Sequence, residues 1–391
     1  MNRIKIKLGI KPLIVLSFML FSVDVLGKGW YVFGISIVLT GLYIALYKRR
    51  IKVDTLFLWV ALLSVSNYLI MLVNSSASIV TKTMKYLLSP LGGYLIGNVL
   101  ATEAKDEENI FKLYMFAVIP YFIHGLLNML TFRGIDSTGN RIVIDFWTGE
   151  EWKATLACTY FTMTIPLFFM SLVTRGWAKK SVFFLLAAFS VLVSIVTASR
   201  TVIYIGCIVN VIEIFMYVTM NKKTMLTQKI GVLAKVAIVA VIVASIVVYS
   251  ESFSNSLFYE RMWNSNLAEE PRLQLFGNVI RNALKYPFGN MPYAYSHNTW
   301  LDFLRESGWI TFIFFCAITI IAVKDLVFVY LNRSIPMLYR ISIVGMMVAL
   351  LLQMFVEPVM DGAAILFCLF FYLIGVNNRF AKRFGENVES V

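Results

Sequence analysis

The stretch Leu56-Phe57-Leu58-Trp59-Val60-Ala61-Leu62-Leu63-Ser64-Val65-Ser66-Asn67-Tyr68-Leu69-Ile70-Met71-Leu72-Val73 carries no charged side chain over its whole length. As a helix rising about 1.5 Å per residue it covers roughly 27 Å, close to the roughly 30 Å of hydrocarbon in a bilayer. Comparable runs recur over 12–27, 30–47, 84–102, 110–131, 154–174, 181–198, 202–219, 230–249, 299–323, 338–356 and 363–378. The fold class this predicts is all-α: a polytopic membrane helix bundle of about 12 transmembrane helices, forming a single membrane domain over 1–391. Composition leads to the same place. The 391 residues are 59% hydrophobic and only 15% charged, and mean hydropathy is +0.76. Soluble domains hold roughly 45–50% apolar residues, so no water-soluble core hides this much apolar surface.

The formal charge of +13 would suit nucleic acid if it were clustered on one face, but the basic residues sit in short turns between spans. They gather before the first span (Arg3, Lys5, Lys7, Lys11), at Lys48-Arg49-Arg50-Ile51-Lys52, at Arg175/Lys179/Lys180, at Lys222/Lys223/Lys229, at Lys324/Arg333/Arg340 and at Arg379/Lys382/Arg383. Twelve alternating spans place all of these on one side. The positive-inside rule then puts both termini in the cytoplasm and the longest loop, about 250–298, outside, with no role for nucleic acid. Met1 to Gly27 resembles a signal peptide, but Val23-Asp24-Val25-Leu26-Gly27 offers no small-x-small cleavage site, so it reads as an uncleaved first helix. The cysteines Cys158, Cys207, Cys316 and Cys368 lie in separate apolar spans without metal spacing and read as small buried packing residues.

Two outer segments are longer than a turn. The first, about 132–153, mixes charges with interfacial aromatics, including Arg133, Arg141, Phe146, Trp147 and Trp152. Within the second, Leu273, Phe276, Val279, Ile280, Ala283 and Leu284 recur at helical spacing with polar residues between them. That pattern predicts an amphipathic interfacial helix over about 272–285, begun by Pro271 and ended by Pro287 and Gly289.

The candidates for chemistry lie beside that helix. His297, one of two histidines, falls where the outer loop enters the tenth span. A helix N-terminus there disfavours imidazolium and leaves a neutral ring able to act as a base, although a lone interfacial histidine also serves as an ordinary capping residue. His124, inside the fifth span, reads as a packed, hydrogen-bonded core residue. The 100° helical step puts Asn298, Asp302 and Arg305 on one strip with Glu306 at its edge. Ionisable groups at that depth should turn inward and pair, Asp302 with Arg305. Arg200, at the outer turn before the eighth span, runs against the positive-inside bias. With Arg272 it can reach an anionic group, because a guanidinium fork donates two parallel bonds and keeps its charge; snorkelling to lipid phosphates is the bland alternative. Asp136, Asp145, Glu357 and Asp361 are scattered and take no assigned role beyond gating or pairing. Arg281, Lys285, Arg133 and Arg141 add positive potential.

Taken together, Pro271-Arg272, Pro287-Phe288-Gly289, His297-Asn298-Thr299-Trp300-Leu301 and Glu306-Ser307-Gly308 resemble the signature of the O-antigen ligase and polysaccharide polymerase family of bacterial membrane proteins. Ser199-Arg200 opening a span is similar to a second family feature. The resemblance is sharp over about 196–310, with Thr311 standing where a second glycine is common. It implies transfer of a glycan from an undecaprenyl-diphosphate carrier to a hydroxyl acceptor at the outer face of the plasma membrane, with inversion and without metal or cofactor. It further implies His297 as general base and Arg200 and Arg272 as holders of the lipid diphosphate. Arg281, Asn298, Arg305 and Glu306 are the accompanying candidates for substrate binding. The partners implied are lipid-linked donor and acceptor, membrane lipids and a chain-length regulator. Polymerisation of repeat units into O-antigen, capsule or exopolysaccharide is the first expectation. A ligase moving finished polymer to a lipid core is its close rival. A transporter of lipid-linked oligosaccharide is the alternative of another class; it would show broken or charged helices near mid-depth and two similar halves, and neither is evident in the sequence.

Overall fold

A computed structural model of the protein describes residues 9–47, 53–104, 106–134, 141–220, 230–236, 256–263, 271–292 and 296–386. The basic residues Arg3, Lys5, Lys7, Lys48, Arg49, Arg50, Lys52, Lys222, Lys223 and Lys229, with Asp136 and much of the 250–298 loop, lie outside this set. The chain is an all-α polytopic helix bundle. Its first half holds α1 (Ile10–Ser22), α2 (Gly29–Leu46), α3 (Thr55–Asn74), α4 (Ile79–Lys82), α5 (Ser89–Thr102) and α6 (Glu107–Met129). Two short strands follow, β1 (Ile142–Ile144) and β2 (Glu151–Lys153), then α7 (Ala154–Ala157), α8 (Thr159–Thr162), α9 (Leu167–Val173), α10 (Trp177–Val196) and α11 (Arg200–Met220). The remainder comprises α12 (Leu257–Trp263), α13 (Pro271–Asn282), α14 (Thr299–Leu331), α15 (Met337–Val356), α16 (Val359–Gly362) and α17 (Ala364–Glu386).

Among the described residues nine helical segments are long and apolar enough to cross a membrane. The other three expected spans differ for identifiable reasons. The first helix has 13 residues and then leaves α-geometry through Asp24 and Leu26, both left-handed (φ 52° and 59°). The span over 84–102 is interrupted by a π-helical turn at Thr83–Leu88. The span over 230–249 is described only as far as residue 236, where it is helical.

A membrane bundle has no water to drive its helices together, so close approach of small residues does that work. Gly93 and Gly97 of α5 meet Cys368 and Tyr372 of α17 backbone to backbone, and Gly375 meets Tyr94 in return. Accordingly α17 is the central helix, 89% of its span buried, whereas α10 at the rim has 22% buried. Outward-facing side chains such as Leu42, Val65, Leu69, Phe184, Ile313 and Ile320 remain exposed, as a lipid-facing perimeter requires. Among the described residues the ion pairs collect at the two ends. At one end Asp54, Tyr94, Asn378, Lys382 and Asp325 form a cluster, with Tyr94 Oη 3.1 Å from Asp54 and Asn378 Nδ2 2.9 Å from Asp325. Arg379, Arg383 and Lys324 flank it in sequence. The opposite end carries the segments 23–28, 75–82, 141–153, 197–200, 271–292, 296–298 and 357–363.

The structure departs from the sequence reading at several points. Segment 132–153 contains an antiparallel hairpin, Ile142 opposite Lys153 and Ile144 opposite Glu151. Its β-branched Ile-Val-Ile run pairs across a turn in which Asp145 Oδ1 accepts from Trp147 N, Thr148 N and Thr148 Oγ1 at 2.8–3.0 Å. The segment 154–173 is not one helix but three pieces, broken ahead of Pro166. It lies at mid-depth, where the sequence showed no break. Cys158 and Cys368 are buried as expected, while Cys207 is exposed on the outside of α11. His124 is the buried, bonded residue anticipated, its Nε2 3.2 Å from Asp145 Oδ2.

Candidate active site

His297 is presented by a tight junction at the hairpin-bearing end. Asn298 caps α14, its Oδ1 accepting from Leu301 N at 3.0 Å while its Nδ2 donates to Phe355 O at 3.0 Å. Thr299 Oγ1 donates to Glu357 O (3.1 Å) and accepts from Val359 N (3.2 Å), stitching the start of α14 to the end of α15. On the other flank Ser296 donates through both N and Oγ to Asp302 Oδ1, each at 2.9 Å. Between these anchors His297 adopts a left-handed backbone, φ 53°, a conformation that costs a non-glycine residue about 1–2 kcal/mol. The anchors hold that strain and turn the imidazole toward Glu357.

Glu357 is the residue the sequence reading did not assign. Its carboxylate is fully buried. Oε1 accepts from Arg272 Nη2 at 3.0 Å, and Oε2, with no hydrogen bond among the described residues, faces His297 Nδ1 at 3.5 Å. Arg272 also donates through Nη1 to Val356 O at 3.0 Å, so its fork clasps the end of α15. A signal was available: an acid closing an apolar span, followed by proline, at the same end of the bundle as His297.

Two further arginines complete the cluster. Arg141, entering the hairpin, donates through Nη1 to Thr197 O (3.0 Å) and Ala198 O (2.8 Å), satisfying carbonyls of the turn that follows α10. Burial, together with the nearby charges of Arg200 and Arg272, holds its guanidinium below the usual value, while Cys158 and Glu357 act the opposite way. Arg141, Arg200, Arg272 and Glu357 therefore share one electrostatic neighbourhood, although they come from segments more than 200 residues apart. The Glu357 carboxylate, gripped by Arg272, faces the imidazole, and Arg141 and Arg200 add positive charge to the same field.

The other sequence candidates are distributed differently. Arg281 folds back on its own helix, bonding Gly277 O and Asn278 Oδ1 at 3.1 and 3.0 Å. Arg305 pairs with Asp302 at 3.1 Å as anticipated, and with Glu306. Both belong to a second ionic network that includes Asp361 and Lys85. Asn298 acts as helix cap and tie. The Pro-x-Gly and Glu-x-Gly elements turn out to be one joint. Trp309 N bonds Pro287 O, Asn290 N bonds Glu306 O and Met291 N bonds Arg305 O, all at 3.0–3.2 Å. Gly308 breaks α14 (φ 78°, ψ −170°), and its bare Cα lies against Phe288, while that of Gly289 lies against the Glu306–Ser307 peptide. Thr311, in place of a second glycine, bonds the Gly308 carbonyl freed by the break at 3.0 Å.

Asp24, His124 and Asp145 bring three potential metal ligands within 4.8 Å of one another. Asp145 already receives five donors, two from His124 and Asn128 and three from its own turn, and Asp24 caps Gly29 N at 2.7 Å. This trio is accounted for as the fastening of the hairpin to α6 and the α1–α2 turn. No family model matches the chain, and no curated protein matches its sequence.

Proposed function

We propose that the protein polymerises undecaprenyl-diphosphate-linked oligosaccharide repeat units into O-antigen, capsule or exopolysaccharide, by metal-independent inverting glycosyl transfer at the outer face of the bacterial plasma membrane, with both termini cytoplasmic. The observation that supports it is the meeting of His297, Glu357 and Arg272 within 3.5 Å contacts, with Arg141 and Arg200 in the same field. In this reading the Glu357 carboxylate faces Nδ1–H of His297 and stabilises that tautomer, so that the free Nε2 takes the proton from the acceptor hydroxyl and the imidazolium that forms is balanced by Glu357. The hydroxyl oxygen attacks the anomeric carbon as the bond to the diphosphate breaks, and the arginines stabilise the negative charge that accumulates on the departing diphosphate. Base catalysis of this kind contributes roughly 10²–10⁴-fold.

The test is a reconstituted reaction. Purified protein and lipid-linked repeat units should yield polymer and free undecaprenyl diphosphate, and His297→Ala should stop both while leaving the protein folded in the membrane. Near-normal polymer from that variant would remove the proposed base. In cells, gene deletion should leave single-repeat glycans; long chains stranded on the carrier lipid would support a ligase instead. A transporter of lipid-linked oligosaccharide is the second reading. It draws on the mid-depth break in 154–173 and on Glu213, fully buried with neither carboxylate oxygen bonded among the described residues. Translocation of the lipid without release of its diphosphate would favour it.

A further inference from the structure

Beside the cationic cluster, at the same end of the bundle, lies a cavity of about 500 Å³, within the roughly 300–1,000 Å³ of ordinary ligand sites. Its walls come from the α1–α2 turn, the start of α4, the hairpin and α16. Trp147 Nε1 bonds Val23 O at 3.0 Å, which ties the hairpin to the α1–α2 turn and gives the cavity a fixed side. The aromatic lining is Trp30, Tyr31, Tyr121, Trp152 and Tyr160. Trp152 stacks on the buried Tyr160 with ring centres 5.9 Å apart and planes 20° apart, which backs the Trp152 ring in the wall. Tyr31 is 67% exposed and takes no part in the core.

The charged lining is of the opposite sign to the neighbouring cluster. Asp24, Asp145, Glu150 and Asp361 face Lys85 alone, an excess of negative charge, and Asp361 is paired to Lys85. Burial, with the neighbouring carboxylates Asp145 and Glu150, lifts the Asp24 carboxyl above its usual range even though Gly29 N donates to it. Aromatic rings beside carboxylates suit a saccharide: a pyranose lays its C–H face on an aromatic ring and donates its rim hydroxyls to acidic oxygens. A diphosphate or an acidic sugar would be repelled, and an acyl chain would strand the carboxylates without donors.

We infer that this chamber binds neutral or amino-substituted saccharide, and that it receives the acceptor glycan while the arginine cluster holds the donor's diphosphate. The second half of the inference rests on the polymerase reading above. The backbone supplies a link, since segment 357–362 places Glu357 against His297 and, four residues on, Asp361 and then Gly362 in the chamber wall. Opposite charges on the two sides would sort donor head from acceptor sugar before any bond is made.

The experiment uses the full chain in lipid nanodiscs and three probes: methyl hexosides, methyl N-acetylhexosaminides and methyl hexuronosides, followed by saturation-transfer NMR. The two neutral classes should bind saturably and the hexuronosides at least tenfold more weakly. Tyr31→Ala, an exposed position that folding does not depend on, and Trp152→Ala should each weaken neutral binding at least tenfold; Trp152→Phe should restore most of it. Absence of saturable binding by every neutral probe, equal binding of the uronosides, or wild-type affinity in Tyr31→Ala would each overturn the chamber. His297→Ala should stop transfer without weakening saccharide binding. Binding intact in a protein that never releases undecaprenyl diphosphate would leave the chamber standing and remove the polymerase reading; transfer with no chamber-dependent binding would do the reverse.

Discussion

Replacing Gly308 by alanine puts a methyl group where the structure has no room for one. At φ 78° and ψ −170° the backbone lies in a region essentially reserved for glycine, and holding alanine there costs about 1–3 kcal/mol. The added carbon would overlap the Pro287 carbonyl oxygen and sit 2.6 Å from Phe288 Cα. Both are main-chain atoms, so relief requires the Pro287–Gly289 turn to move away. That movement gives up the Trp309 N to Pro287 O bond, 3.0 Å long, worth about 0.5–1.5 kcal/mol. Together the two terms make about 1.5–4.5 kcal/mol, a shift of at least roughly tenfold in how often the turn is docked on α14. Trypsin cleavage at the exposed Lys285, timed on protein in nanodiscs, measures that equilibrium directly. Gly308→Ala should be cut at least an order of magnitude faster than the parent. Gly41→Ala, where an added methyl meets nothing within 4 Å, should be cut at the parental rate. Equal cleavage of Gly308→Ala and the parent, with an unchanged melting temperature, would show that the joint does not hold the turn.

Glu357→Gln keeps the shape that Arg272 grips but removes the charge facing His297, so polymerisation should fall by at least tenfold while thermal stability changes less; full activity would deny the carboxylate its positioning role. Arg272→Lys and Arg200→Lys should each reduce polymer at least tenfold, since a point charge replaces a fork, and normal chain length in either would uncouple that residue from the diphosphate. For Asp145, burial pushes the carboxyl up, but the bonds from His124, Thr148 and Trp147 outweigh it and hold it down at about 2. The stabilisation is therefore present above the ordinary carboxyl range and is lost as pH falls toward about 2, so Asp145→Asn should melt lower than the parent at pH 7, with the gap closing between pH 4 and 2. Asp24 has the opposite sign: its carboxyl is raised chiefly by burial, and Asp24→Asn, which can still cap Gly29, should melt higher than the parent at pH 7 and equal to it at low pH. A constant offset for either variant across that range would contradict the assignment.

The membrane fold was legible because its signal is composition over long windows; an apolar run such as 56–73 has few alternatives to a spanning helix. The α13 helix was legible from its 3.6-residue period and its flanking prolines, and the Asp302–Arg305 pair from spacing alone. Local geometry created by tertiary contact was not. Ile142-Val143-Ile144 is too short to announce a strand, and the hairpin exists because Asp145 organises the turn and His124 receives it. The break ahead of Pro166 is hidden by the apolar residues on both sides, and Gly308 leaves helical geometry only because the Pro287 turn docks there. Glu357 went unassigned for a related reason: its meaning lies in His297, 60 positions earlier, and one sequence contains no record of that proximity.

The glycine seam between α5 and α17 has a consequence for motion. Main chains in direct contact at Gly93, Gly97 and Gly375 leave no side-chain layer to shear, so the two helices behave as a keel. Rearrangement during a turnover then falls to the segments hung on that keel, above all α13 and the turn that follows it. Spectroscopic labels on α5 and α17 would supply a ruler of constant length, and a third on α13 would read displacement against it.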